Sequence, residues 1–445
     1  MLTSGWRSLD FFKMIIKNFD DLALNEGRKI ALQILEAGLE AINTKNILEK
    51  SITLRDEKIL INNQQVADIP NGKIILVGIG KCAIDGISVL NNLLGDHVSS
   101  GVVVDIRTAV ISDKIKVFKG THPMPSEDNL VASRSIVNEL TGLTENDLVI
   151  FLVSGGGSTL LCLPEDRGCK EESDILENLF KAGADIIKIN TVRKHLSLAR
   201  GGFLAKYAYP ANVVSLIFSD VSTNELSFIS SGPTVKDETT IEDASKVLVD
   251  YDILKKCGIE NCGLIETPKE DQYFTKVKNI LLVSNDLALQ KMNEKALELG
   301  YESETCSNCL VGEAKEVGKN IATVLHRTSP GKILIYGGET TVVAMGKGEG
   351  GRNQELVLGA LGEIQAGEII LASSSDGRDN TDHAGALCDI ITKDKTESLG
   401  VNPVEYLQKN DSYNFFKKIG DYILTGDTGS NISDLVVAIK LQISA

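Results

Sequence analysis

LVIFLVSGGGST, residues 148–159, joins an unbroken apolar run to three consecutive glycines and two hydroxyl side chains. A run with no polar face predicts a strand covered on both sides, as in a parallel sheet sandwiched between helices. The glycines that follow permit a backbone turn whose amides curl inward around an anion. The same order recurs upstream, where KIILVG (73–78) reads as a buried strand and KCAIDGISVLNNLL (81–94) as its helix. GVVVD (101–105) is the next strand, Ser126 caps a helix in EDNLVASRSIVNELTG, and helices around 172–187 and 191–206 precede the strand VVSLIFS (213–219). An amphipathic helix from Asp20 to about Ile42 comes before all of these.

Alternating strands and helices specify the α/β class, here two α/β domains with mainly parallel, Rossmann-like sheets. Residues 241–278 are more polar and more acidic, so the domain junction is expected there. The reading assigns residues 14–245 to an N-terminal domain and 275–445 to a C-terminal one. The second opens on NILLVSNDLALQKMNEKALELG (279–300), and KILIYGGETTVVAMG and EIILASSSDGRDNTDHAGA supply further strands.

A net charge of −15 argues against nucleic acid or an anionic membrane as partner, so an anionic substrate needs a local basic site. No stretch approaches the eighteen apolar residues of a membrane span, and the first thirteen residues lack the apolar core of a signal peptide. A cytoplasmic protein, acting as a monomer or homodimer on small molecules, is the expectation. Eight cysteines in 445 residues do not make a disulfide scaffold. Cys82, Cys162 and Cys388 read as small buried hydrophobes, and reduced thiols are favoured over a zinc site built on Cys306, Cys309, Cys257 and Cys262.

Three glycine-rich loops follow strands: VGIGKCA (77–83), SGGGST (154–159) and GGETT (337–341). In open α/β sheets ligands lie beyond the carboxyl ends of strands, so these loops mark the functional edges. VGIGKCA matches a GxGxxA pattern with Asp105 ending the following strand, a weak dinucleotide signal. Ile75 and Cys82 exclude a Walker A loop, while Lys81 adds a cation to the turn. Phosphate or carboxylate binding is the favoured role of Ser154, Gly155, Gly156, Gly157 and Ser158. Asp220, just after a buried strand, suits proton acceptance or metal binding, and Asp376 is a second candidate ligand. Asp376, Asp379 and Asp382 have the spacing of a calcium loop but lack its bidentate glutamate. VRKHLSLARGG (192–202) gathers Arg193, Lys194, His195 and Arg200, either a solvated basic face or a binding surface. GGETTVVAMGKGEGGRNQE (337–355) sets six glycines around Glu339, Lys347 and Arg352, with Arg352 opening a helix where it could hold a phosphate or carboxylate.

THPMPSEDNLVAS, FLVSGGGSTLL, VRKHLSLARGGFLA, ISSGPTVKDETT, GGETTVVAMGKGEGGRNQE, SDGRDNTDHAGA and TGDTGSNISDL occur in one order along the chain. Together they resemble the glycerate 2-kinases of the MOFRL type, from about Leu22 to the C-terminus. The resemblance implies an active site in the cleft between two α/β domains and ATP-dependent phosphorylation of D-glycerate to 2-phosphoglycerate, with Mg²⁺ or a similar cation. It implies Lys81, Asp220 and Arg352 as catalytic residues. Arg193 and Glu339 are candidates for holding the substrate, and the residues leave open whether Arg193 or Arg352 meets its carboxylate. The competing class is an NAD(P)H-dependent hydroxypyruvate reductase using GxGxxA and Asp105, but a hydride enzyme has no use for further anion cradles.

Overall fold

The computed structural model describes residues 14–165, 169–221, 224–259 and 263–442. The chain forms two compact units, one of Ala41–Ala288 with Gly429–Ser433, the other of the residues up to Glu40, Leu289–Thr428 and Asp434 onward. The first unit is built on a six-stranded sheet in the order Ile115–Lys119, Val98–Asp105, Ile74–Ile79, Leu148–Val153, Asn212–Phe218, Val277–Val283. Every neighbouring pair in it is parallel. Ile74–Ile79 and Leu148–Val153 are buried at every position, as their unbroken apolar runs require. Helices Ala83–Leu94 and Glu127–Leu140 follow their strands as expected, the second capped by Ser126, whose hydroxyl accepts from the Asp128 amide. An antiparallel meander, Ile52–Arg55, Lys58–Ile61 and Gln64–Asp68, precedes the sheet and had no signal in the reading above.

The boundary differs from the expected one at both ends. Val277–Val283 does not open the second unit but hydrogen-bonds alongside Asn212–Phe218 and closes the first sheet. The N-terminal helix Glu26–Ile42 belongs to the second unit, where Arg28 is wholly buried. Its guanidinium donates to both carboxylate oxygens of Asp389, at 2.6 and 2.9 Å, to both of Asp421, at 2.9 and 3.0 Å, and to Thr392 Oγ1 at 2.9 Å. The helix thereby brings one buried cation to two buried carboxylates some 360 residues or more away in sequence.

The second unit is α/β, but its sheet is mixed rather than mainly parallel. Its order is Glu302–Leu310, Lys332–Gly338, Asp434–Lys440, Glu368–Ser373, Gly385–Cys388, Tyr422–Ile423. Only the first pair is parallel: the C-terminal strand Asp434–Lys440 enters antiparallel between two others, and Gly385–Cys388 is antiparallel to both its neighbours.

Cys82 and Cys388 are free and buried, as read. Cys162 is not a free thiol. It is joined to Cys169, whose Cα lies 6.2 Å away, within disulfide reach. Cys306 and Cys309 are free and exposed, and Cys262 lies outside the described residues. No group of three His, Cys, Asp or Glu side chains among the described residues is arranged to hold a metal.

Removing one partner from a buried, hydrogen-bonded ion cluster costs about 3–5 kcal/mol. Arg28→Ala is therefore expected to lower unfolding free energy by that amount in chemical denaturation, and an unchanged midpoint would contradict the assignment.

Candidate active site

The parallel register sets Ile79 beside Val153 and Val153 beside Ile217, so the turns after these strands share one edge. Gly80, at φ +117°, adopts a backbone favoured only by glycine, and a methyl group there would overlap the Ser154 hydroxyl and carbonyl. Ser154 is fully buried, and its hydroxyl donates to Ile79 O at 3.2 Å and accepts from the Cys82 amide at 3.4 Å. It joins the two turns and does not face a ligand, which corrects its reading as a phosphate contact. The carbonyl of Ser154 accepts from Ser230 Oγ at 2.8 Å, fixing the turn on its other side.

The rest of the glycine run is free to act. Gly156 is left-handed, at φ +83°, and the amides of Gly155 and Gly156 have no acceptor among the described residues. The Lys81 side chain lies over Gly156, and its Nζ donates to Asn431 Oδ1 at 3.5 Å. A methyl group on Gly155 would overlap both Asn431 Nδ2 and the Asp220 carboxylate. Lys81, Asp220 and Asn431 therefore converge on the adjacent glycines Gly155 and Gly156. Asn431 reaches this place because Gly429–Ser433 returns from the far end of the chain to the first unit.

A cavity of about 590 Å³ opens beside this cluster, its polar end lined by His122, Gly156, Ser158, Arg193, Asp220 and Ser230. Arg193 ends the helix Ile186–Lys194, and its Nε is buried with no acceptor among the described residues. Burial, with the neighbouring Arg200 charge, pulls its guanidinium down to about 10. An anion entering the cavity relieves both penalties. Burial raises the Asp220 carboxyl above its ordinary value, against its own backbone amide and Lys81, making it a stronger proton acceptor than a solvated aspartate. Ser158 Oγ is 2.9 Å from Ser231 Oγ, which donates to Asn190 Oδ1 at 2.8 Å.

His122 and Asn431 are the residues to which sequence reasoning gave no role. The THPMP motif was the available signal for His122. Desolvation of its ring, then the charges of Lys81 and Arg193, push His122 down to about 4, so it stays neutral at pH 7. Its loop is anchored at Thr121, where buried Asn129 accepts from the Thr121 amide at 2.8 Å and donates to the Thr121 carbonyl at 3.0 Å.

The basic segment 192–202 is neither a solvated face nor a single binding surface. Lys194 pairs with Asp237 at 2.9 Å and Arg200 with Glu172 at 2.7 Å, both pairs buried. His195 is buried too, its Nδ1 2.8 Å from Ile265 O. Only Arg193 is left facing the cavity.

The dinucleotide reading fails on Asp105. That carboxylate is fully buried and accepts from the Ile84 amide at 3.1 Å, the Arg107 amide at 3.0 Å and the Arg107 guanidinium. It already occupies the helix terminus that a pyrophosphate would need.

Two family models match the chain: one described as "Domain of unknown function (DUF4147)" over residues 30–260, the other the MOFRL family over 332–434. A D-glycerate 2-kinase from Thermotoga maritima is 35% identical over 93% of this chain and 98% of its own. A glycerate 2-kinase from Pyrococcus horikoshii is 35% identical over 93% of this chain and 97% of its own. The chain belongs to the glycerate 2-kinase family. A crystal structure of glycerate kinase from Thermotoga maritima superposes with a TM-score of 0.80 at 34% identity, covering 93% of this chain and 99% of that one.

In this family member the second unit's candidates are engaged with one another. The helix Arg352–Leu361 does not present free amides to a ligand, because Asp379 accepts from the amides of Asn353 at 3.1 Å and Gln354 at 2.8 Å. Arg352 donates to Asp434 through Nε at 2.5 Å and Nη2 at 3.0 Å, and pairs with Glu339 at 3.1 Å. Burial works against its charge, but these two carboxylates hold it charged. Asp376 Oδ1 accepts from Ser374 Oγ at 3.2 Å and the Arg378 amide at 2.9 Å.

Arg352→Ala leaves Asp434 buried beside a vacated partner. A loss of about 1–3 kcal/mol is expected in chemical denaturation, the lower end being favoured by the arginine's partial exposure, whereas a merely surface arginine would leave stability unchanged. Burial, opposed by the Gln354 and Asn353 amides, lifts the Asp379 carboxyl to about 6. Its folded value exceeds the unfolded one, so its contribution is full below pH 4 and is lost as pH rises through 6. The wild type should therefore lose up to about 3 kcal/mol relative to Asp379→Asn between pH 4 and 7, and parallel pH profiles would refute the shift.

Proposed function

We propose that the chain transfers the terminal phosphoryl group of ATP to the 2-hydroxyl of D-glycerate, giving 2-phospho-D-glycerate and ADP. The observation that carries this reading is the cavity of the first unit, where Arg193 with its unpartnered Nε, the Asp220 carboxylate and a glycine turn with two free amides stand together. Phosphoryl transfer asks for positioning and charge stabilisation more than for a covalent apparatus, and these groups supply both.

Each group then has a task. The Arg193 guanidinium holds the substrate carboxylate, since it is the cavity's buried cation without an acceptor. Asp220 takes the proton of the 2-hydroxyl as the oxygen attacks phosphorus. Lys81 neutralises charge gathering on the moving phosphoryl group, and Asn431 steadies Lys81. The amides of Gly155 and Gly156 donate to the nucleotide phosphates, with Gly157 and Ser158 completing the turn. Arg352 belongs to this proposal only as a residue whose charge is already shared with Asp434 and Glu339.

Mg²⁺ accompanies ATP in this reading. Among the described residues no three-ligand cage exists, and magnesium needs none, because it keeps several waters and takes one or two carboxylates besides phosphate oxygens. Asp220 fits as the single protein ligand. Glu172 and Glu177, also on the cavity wall, are committed to Arg200 and Lys181. The ion would neutralise the phosphates and align them. The acidic composition suits a cytoplasmic enzyme of small molecules, monomeric or homodimeric, with no nucleic-acid or membrane partner. No helix among the described residues is long and apolar enough to cross a membrane.

Initial rates with D-glycerate and ATP separate the roles. Arg193→Ala is expected to raise the glycerate KM about a hundredfold, and Lys81→Ala and Asp220→Asn to lower kcat about a hundredfold or more. Wild-type constants in all three folded variants, or turnover of hydroxypyruvate with NADPH and none with ATP, would overturn the reading.

A further inference from the structure

The cavity holds far more than a three-carbon acid. Its volume, about 590 Å³, lies in the range of about 300–1,000 Å³ that accepts ligands of nucleotide or drug size. Its polar end, described above, accounts for a carboxylate, a hydroxyl and phosphates. The remainder is an apolar lobe lined by Pro123, Met124, Leu176, Phe180, Ile186 and Phe228. Three of these are large side chains left open to solvent, Phe180 at 55%, Ile186 at 58% and Met124 at 45%. Single exposed apolar residues mean little, but three around the mouth of one cavity mark a binding surface.

The chemistry of the lobe narrows its occupant. Its charged neighbours are ion-paired, Glu177 with Lys181 at 2.6 Å at the surface and Glu172 with Arg200 at 2.7 Å. Asn190 is likewise committed, donating to Ser227 O and accepting from Ser231 Oγ. A charged or strongly polar group placed there would lose hydration without finding a partner. A flat, neutral, aromatic ring would gain contact with Phe180 and with the aliphatic wall. The lobe is also continuous with the turn of Gly156 and Ser158, so its occupant is tethered to a phosphate chain.

We infer that the apolar lobe between the helix Cys169–Lys181 and the His122–Pro125 loop is the seat of the nucleotide's base, stacked on Phe180 and Ile186, with its phosphates running to Gly155–Ser158. This rests on the phosphoryl-transfer reading and adds to it where the nucleotide's other end lies. The base is recognised by ring contact, and the acceptor acid is confined to the Arg193–Asp220 end of the same cavity.

Titration calorimetry with ADP and with inorganic triphosphate, each with Mg²⁺, tests the inference on wild type, Phe180→Ala and Ile186→Ala. Both side chains are exposed, so the variants are expected to fold. Phe180→Ala should weaken ADP about tenfold, and Ile186→Ala several-fold, while triphosphate affinity stays within about twofold, because only the base loses its platform. Equal ADP affinity in wild type and both variants would overturn the base site and leave the kinase reading standing. Equal weakening of ADP and triphosphate would overturn it as well, by showing that the lobe acts on the phosphate end. Failure of wild type to bind either compound would refute the phosphoryl-transfer reading itself, and the inference with it.

Discussion

Everything at the candidate site depends on the contact between Gly80 and Ser154. Two parallel strands end side by side, and their turns can approach only because Gly80 carries no side chain and Ser154 hydrogen-bonds back to Ile79 and Cys82. That contact fixes where Lys81 leaves one turn and where Gly155 and Gly156 leave the other. The Lys81 amide donates to Gly155 O at 3.1 Å, which ties the cation to the glycine run through the backbone as well. A cation over a glycine turn with free amides suits an anion, whatever the anion, and the proposed phosphate contacts rest on that. The hydroxyl of Ser154, the most conspicuous polar atom in the motif, is spent on building the turn.

A protein carrying a net charge of −15 must keep its few buried cations deliberately placed. Buried Arg28, Lys194 and Arg200, and half-buried Arg352, each meet one or two carboxylates within ion-pair distance. Such pairs roughly offset their own desolvation and fix geometry more than they add stability. Against this background Arg193 differs from Arg200, which also has buried nitrogens without hydrogen-bond acceptors but is ion-paired with Glu172 and lies off the cavity wall that Arg193 lines. Ion pairing and position on the cavity wall, and not the local density of basic residues, set Arg193 apart from Lys194 and Arg200.

How far the sequence was legible follows from what each residue answers to. The strands Ile74–Ile79 and Leu148–Val153 were readable because complete burial writes itself as an unbroken apolar run, and Asn212–Phe218 because only Asn212 and Ser215 interrupt one. The cap at Ser126 was readable because capping is local. The sheet to which Val277–Val283 belongs was not, since both α/β units use such strands and the choice is made by long-range pairing. Nor was the antiparallel entry of Asp434–Lys440, which depends on a strand more than sixty residues distant. At the site, glycine and lysine showed themselves by type and position. Asn431 did not, because it lies 350 residues from the Lys81 it contacts. Asp105 misled because an aspartate near a glycine turn reads alike whether it awaits a ligand or already caps a helix terminus.

The central claim is that the glycine turn and the Arg193–Asp220 end of the cavity together direct a phosphoryl group to the hydroxyl next to a carboxylate. Phosphorus–proton correlation spectroscopy on the product formed from D-glycerate, MgATP and the enzyme reads that outcome directly. The account predicts a phosphate coupled to the single proton on carbon 2, because Arg193 fixes the carboxylate and leaves the adjacent hydroxyl beside Asp220. Coupling to the two protons on carbon 3 would mean that the acid is held the other way round, and would contradict the assignment of both residues.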